Sequence, residues 1–359
     1  MRVTTDRPMQ AFAPPSFLAA IGRRPLPASA TLPNLLHILN GDCAADQLRE
    51  SGVPGRITVS ADVLHEGPVP AGLSPERWRK ARARYLAESG YGDYDQCLAT
   101  LTQWDRALEG YRSFDEVVLW FEHDLFDQLL LVRLLDWFST RDLGLTRLSL
   151  ISIAEHPAVP RFIGMGQLSP DQMAALMDRR QRVTAAQTVL ARHAWRVFSA
   201  PEPVGIELLL KRDTSALPYL EGALRRHLEE FPSVRNGLSR TEEEILTVLA
   251  EGSTTFEDLF RTVQALEERP FLGDTTFLRI VRELAVRPWP LVRLEAGVND
   301  SFRAQHVTLT ATGTAVLAGK EDRVRLHGID RWLGGVHLSG PEAAWRWDAA
   351  RGRMVSLGL

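Results

Sequence analysis

The stretch Val117-Val118-Leu119-Trp120-Phe121-Glu122-His123-Asp124-Leu125-Phe126-Asp127-Gln128 runs five apolar residues without a break into four ionisable groups. An uninterrupted β-branched and aromatic run suits a strand covered on both faces, as in a parallel sheet. The LLLVRLLDWF that follows reads as the helix returning over that strand. The carboxylates then stand at the C-terminal end of a parallel strand, where open α/β sheets bind their ligands.

Working outward, the same strand and helix alternation repeats. LLHILN (35–40) leads into the turn Asn40-Gly41-Asp42 and a helix from Cys43 to about Ser51. RITVS (56–60) runs into Asp62-Val63-Leu64-His65-Glu66-Gly67-Pro68, and Ser74-Pro75-Glu76 then caps a helix, with proline at the first helical position. A helix over 91–110 precedes the opening strand, and LSLISIA (148–154) supplies a fourth strand ending in Glu155-His156-Pro157. This pattern predicts an α/β domain over 34–160 with a mostly parallel sheet of about four strands and flanking helices.

Residues 161–235 read as a helical connector. The capping box Ser169-Pro170-Asp171-Gln172 opens it, and AALMDRRQ, VTAAQTVLARHAWRVF and LPYLEGALRRHLEEF supply three helices. Phe231-Pro232-Ser233 and Asn236-Gly237 punctuate a boundary. Over 236–359, three helices are followed by LVRLE, a turn at Gly297-Val298-Asn299-Asp300, and HVTLT, which is the order of a winged helix. The aromatic tail is expected to pack back as a hairpin. Residues 1–33 match a signal peptide poorly, since Asp6, Pro14-Pro15 and Arg23-Arg24 oppose export; they are expected to form a flexible extension.

A chain of 359 residues, 45% hydrophobic and 24% charged, is ordinary for a soluble globular protein. A formal net charge of -3 creates no global field toward nucleic acid or an anionic membrane. Two cysteines, Cys43 and Cys97, are too few for a disulfide framework or a four-thiolate zinc site, so a reducing cytoplasm is the expected compartment. No apolar run approaches the roughly 18 residues of a membrane span, so no membrane partner is expected.

If the four strands are parallel, every C-terminal end carries an acid: Asp42, then Asp62 and Glu66, then Glu122, Asp124 and Asp127, then Glu155. Three ends add a histidine, His65, His123 and His156. Asp42 and Asp124 also sit where helix N-caps belong, and Asp127 sits in a first turn where negative charge suits the helix dipole. Glu122 and His123 continue an apolar strand, so they need a partner, a ligand or solvent.

Three chemistries use such a rim. Its ligand types suit a divalent metal, although no metal-binding spacing is present. Cys43 at a helix start is a candidate nucleophile, with Asp62 and His65 as orienter and base; the alternative is a small buried residue packing the first turn. The Asn40-Gly41-Asp42 turn offers backbone N–H groups to a phosphate, without a dinucleotide or Walker fingerprint. In the winged helix, Arg279, Arg282 and Arg303 are candidate DNA-phosphate contacts, while such domains also dock proteins.

The motifs His37-Ile38-Leu39-Asn40-Gly41-Asp42, Asp62-Val63-Leu64-His65-Glu66-Gly67-Pro68-Val69 and Leu119-Trp120-Phe121-Glu122-His123-Asp124-Leu125-Phe126-Asp127-Gln128 resemble the bacterial family known as domain of unknown function 1835 over about residues 35–155. The resemblance implies an α/β domain followed by helical and C-terminal segments like these, down to Gly328-Ile329-Asp330-Arg331-Trp332. It implies no particular activity. Members often carry serine where this chain has Cys43, which weakens a thiolate mechanism.

The leading expectation is a hydrolytic or phosphate-directed enzyme acting on a small or phosphorylated ligand. Glu122 and His123 are its acid/base or ligand groups, and Asp42 and His65 are further catalytic candidates. Asn40, Gly41, Cys43, Asp62, Glu66, Asp124 and Asp127 line the ligand. The alternative is a ligand-sensing regulator whose winged helix binds DNA or a protein partner.

Overall fold

The computed structural model describes residues 33–295 and 301–358. The expected extension up to residue 32 and the wing turn Gly297-Val298-Asn299-Asp300 lie outside the described residues. Strands β1 (Leu35–Leu39), β2 (Arg56–Val59), β3 (Glu116–Phe121) and β4 (Arg147–Ser152) form a parallel sheet, and β5 (Gln181–Arg182) adds an antiparallel edge, in the order β2-β1-β3-β4-β5. All six residues of β3 are buried, because alternate side chains serve opposite faces. Val117, Leu119 and Phe121 join the core with helix α4 (Leu125–Ser139), while Val118 and Trp120 join Ala44, Ala45 and Leu48 of helix α1 (Asp42–Glu50). The central polar pair is satisfied. Trp120 Nε1–H donates to His37 Nδ1 at 3.1 Å, which leaves Nε2 of His37 to donate to the Pro54 carbonyl at 3.1 Å.

The strand order places the ligand crevice. From β1 the chain moves to β2 on one side, then returns to β3 on the other, so the connections part between β1 and β3. In an open α/β sheet that gap is the topological switch point. Between β2 and β3, helices α2 (Pro75–Glu88) and α3 (Tyr94–Glu109) pair as a hairpin, capped by Ser74 and Asp93.

The connector carries α5 (Pro170–Leu176), α6 (Ala185–Phe198), α7 (Val204–Leu210) and α8 (Leu220–Leu228). The helix expected through Gln181 ends at Leu176, where Met177–Arg179 form a 3₁₀ turn and Gln181–Arg182 pair with β4. Edge pairing, reinforced by Arg180 on Glu116 at 3.2 Å, overrides the good helix propensity of Met177, Arg179, Arg180 and Gln181. Helix α7 had no assignment in the sequence reading.

The C-terminal part holds α9 (Arg240–Ala250), β6 (Thr254–Thr255), α10 (Phe256–Leu266), α11 (Asp274–Leu284), β7 (Val292–Glu295) and β8 (His306–Leu309), with an antiparallel sheet in the order β6-β8-β7. This is the winged-helix arrangement, with one more short strand than expected. After α12 (Ala311–Leu317) and α13 (Arg323–His327), the tail forms two hairpins rather than one: β9 (Ile329–Leu333) with β10 (Val336–Gly340), and β11 (Trp345–Asp348) with β12 (Arg353–Ser356). Gly334 at the first hairpin tip has φ +62°, and a Cβ there would lie 2.3 Å from the Phe198 carbonyl, so only glycine fits. That tip is tied down by Val69 N–H on the Gly334 carbonyl at 2.9 Å and Gly335 N–H on the Phe198 carbonyl at 2.9 Å. Among the described residues the largest buried core runs from the sheet through the connector to the tail. Among the described residues no helix is long and apolar enough to cross a membrane.

Candidate functional site

Asn40 follows β1 and Glu122 follows β3, so the two face each other across the switch point. The Asn40 amide donates to Glu122 Oε2 at 2.6 Å and to Asp127 Oδ2 at 2.6 Å. Asp127 Oδ1 accepts the Glu122 backbone N–H at 2.7 Å, and the Gln128 amide donates to the Glu122 carbonyl at 2.6 Å. Asp124 is the N-cap of α4 and accepts the Asp127 N–H at 3.1 Å, as expected for a cap. From the β4–α5 connection, Met165 donates its N–H to Glu122 Oε1. Gly164 lies so close that a Cβ there would be 3.2 Å from the same oxygen. Glu122, Asp124 and Asp127 are all buried.

Burying three acids together costs the ionised form. The Glu122 carboxyl is pushed up to about 7, chiefly by desolvation and then by the Asp124 charge. Asp124 and Asp127 are also raised, by burial and then by their charged neighbours. Glu122 and Asp127 both accept from the Asn40 amide, so the two carboxyls titrate as a coupled pair, each raised by burial. Oxygens of Glu122, Asp124 and Asp127 lie within 4.8 Å of one another, a set that can hold a divalent cation. The Asn40 amide hydrogens converge on two of these carboxyls, however, and a cation there has to displace them. The arrangement suits a shared proton better.

The rest of the expected rim divides. Asp62 is chelated by Arg82, with Nη2 on Oδ1 at 2.6 Å and Nε on both oxygens at 3.1 Å and 3.2 Å, and both side chains are fully buried. Arg82 also donates to the Glu66 and Val63 carbonyls, so it shapes the loop after β2. Asp62 is therefore structural. It does not orient His65, whose ring nitrogens have no partner. Glu66 accepts from Tyr91 Oη at 2.7 Å, from Thr276 Oγ1 at 3.2 Å and from Arg279 at 2.5 Å.

His123 is not brought into the carboxyl cluster either. Its ring lies against Phe162 and Tyr219, and burial with the nearby Arg269 charge lowers it to about 4. Gly41, not Asp42, is the N-cap of α1, and Asp42 is exposed in its first turn. Cys43 is exposed as well, against the expectation of a buried packing residue. A Cβ on Gly166 would sit 3.0 Å from the Cys43 Cβ, so the segment carrying Gly164 and Gly166 lies over both α1 and Glu122. Glu155 is exposed.

The winged-helix arginines are placed differently from the expectation too. Arg279 pairs with Glu66 and Glu283, and Arg303 pairs with Asp274 at 2.5 Å; Arg282 is exposed, the one fully exposed residue of α11. The polar face of α11 is thus half-buried, with Arg279 engaged by two carboxylates and Arg282 left exposed. The sequence reading missed Met165, Gly164, Arg82 and Tyr91, which act through the fold from positions with no motif of their own. Gln128 stood in the opening stretch without a role.

No family model matches the chain, and none of the curated proteins matches it.

Proposed function

We propose that this chain is a hydrolytic enzyme whose acid–base centre is the Glu122–Asp127 carboxyl pair, with Asn40 as the residue that positions both. The observation carrying this reading is two buried carboxyls joined through the Asn40 amide at the β1/β3 switch point, a pair that would share a proton near neutrality because burial pushes Glu122 up to about 7. A general acid or base works best when its pKa lies near the working pH, and a coupled carboxyl pair can donate from one member while the other accepts. Asp124 supplies the cap and part of the negative field. The Gly164–Gly166 segment excludes water and has to give way for substrate to reach Glu122.

The test is turnover of phosphate monoesters, carboxylic esters and nucleotides by the wild type and by Glu122→Gln, with and without magnesium or manganese. Metal-independent turnover that Glu122→Gln abolishes supports the reading. Turnover that survives the substitution, or an absolute metal requirement, speaks against it.

A further inference from the structure

A second cleft, of roughly 410 Å³, opens where the loop after β2 meets α2, α11 and β9. Its apolar walls include Tyr85, Phe271, Ile280 and Trp332. His65 lines it, is 5% exposed, and meets Phe126 and Phe271 edge to face at 6.0 Å and 5.2 Å. Neither of its ring nitrogens has a hydrogen-bond partner. Arg279 lines the same cleft; its two terminal nitrogens are committed to Glu66 and Glu283, while its buried Nε has no partner. Buried polar groups are normally satisfied, and apolar residues would pack this wall without the cost of stranding them.

We propose that this cleft binds a small, uncharged, planar heterocycle presenting an amide-like edge, a carbonyl beside an N–H, to His65 and the Arg279 Nε. Three observations select that class. The lone pair of one His65 ring nitrogen can accept and the Arg279 Nε–H can donate, which together match a carbonyl beside an N–H. The buried charges are already paired: Arg279, Arg323 and Arg331 face Glu66, Glu242 and Glu283, and Arg226 faces Glu230, while Arg84, Glu88 and Asp330 stand exposed at the rim. An anion or a cation would upset that balance. The aromatic walls favour a flat ring. This site is separate from the carboxyl pair and does not depend on the reading of Glu122.

The test titrates the full chain with uracil, hypoxanthine and nicotinamide at millimolar concentration, following the histidine ring ¹⁵N resonances. Benzoate and benzamidinium serve as charged controls. The His65 signal, identified by its loss in His65→Leu, shifts saturably with at least one neutral ring and with neither control. His65→Leu binds that ring about tenfold more weakly, the loss of roughly one ligand hydrogen bond. Ala81→Phe, which fills the cleft from α2 while leaving His65 in place, abolishes the shift. No shift with any neutral ring, a shift with either charged control, or undiminished binding by the variants overturns the proposal.

Discussion

Arg279 on α11 donates to the Glu66 carboxylate after β2 at 2.5 Å, across 213 positions of sequence. Burial favours the neutral forms of both groups, yet the Arg279 charge holds the Glu66 carboxyl below its ordinary range. Removing one partner of a buried pair leaves an uncompensated charge, so Arg279→Ala is expected to cost about 3 kcal/mol. Arg282→Ala and Arg303→Ala, at exposed positions, should stay within about 0.5 kcal/mol. Urea denaturation of the three variants checks this; equal effects would mean that α11 is not anchored through Glu66.

Asp124 both caps α4 and raises Glu122. Asparagine caps as well as aspartate, so Asp124→Asn should leave stability nearly unchanged while Glu122 titrates at lower pH. Asp124→Ala should lose about 1 kcal/mol through the missing cap. Thermal melts and a carboxyl titration of both variants separate the two roles.

Three buried histidines set an acid limit on stability. Burial lowers His65 and His123 to about 4 and His227 to about 3. Each titrates lower in the folded chain than the ordinary 6.5, so the unfolded chain takes up protons first. Their contribution is complete above about 6.5 and is lost as pH falls toward 4, and toward 3 for His227, a change on the order of a few kcal/mol for each. Glu122 acts oppositely: its raised pKa adds stability below about 4.5 that is lost as pH rises through about 7. Asp124 and Asp127, also raised by burial, act as Glu122 does, so the histidine contribution is read as a difference. Between pH 6.5 and 4.5 the melting temperature of His227→Leu should change less steeply in the acid-destabilising direction than that of the wild type. An unchanged slope in His227→Leu would show that the ring is not held neutral by burial.

Gly164 touches the Glu122 carboxylate from the β4–α5 connection. With only 3.2 Å available for a Cβ, Gly164→Ala must displace the segment or the carboxylate by a few tenths of an ångström. Any activity that needs Glu122 should fall about tenfold or more, since small misplacements at a reacting group are costly. Rates that match the wild type would remove the segment from the site.

Much of the sheet could be read from residue pattern, because β3 is buried on both faces and therefore carries an unbroken apolar run. The caps at Ser74 and Ser169 were equally plain, since a local hydrogen bond needs only local sequence. The site was half legible. Position at the strand ends identified Asn40, Glu122 and Asp127, but the same argument also gathered Asp62, His65 and Glu66. Only the fold shows Arg82 neutralising Asp62, and Arg279, a candidate DNA-phosphate contact in the sequence, neutralising Glu66. The short β5 was hidden because its pairing with β4 is tertiary, and no periodicity shows in two residues.

The central claim is that the Glu122–Asp127 pair retains a proton near neutrality, and a pH titration of ¹³C-labelled glutamate carboxyls tests it most directly. The wild type should show one glutamate resonance with a midpoint near about 7, absent from Glu122→Gln and moved when Asn40 is replaced by alanine. A Glu122 midpoint in the ordinary range, near about 4.3, would contradict the account and leave these carboxyls as helix-capping and packing groups.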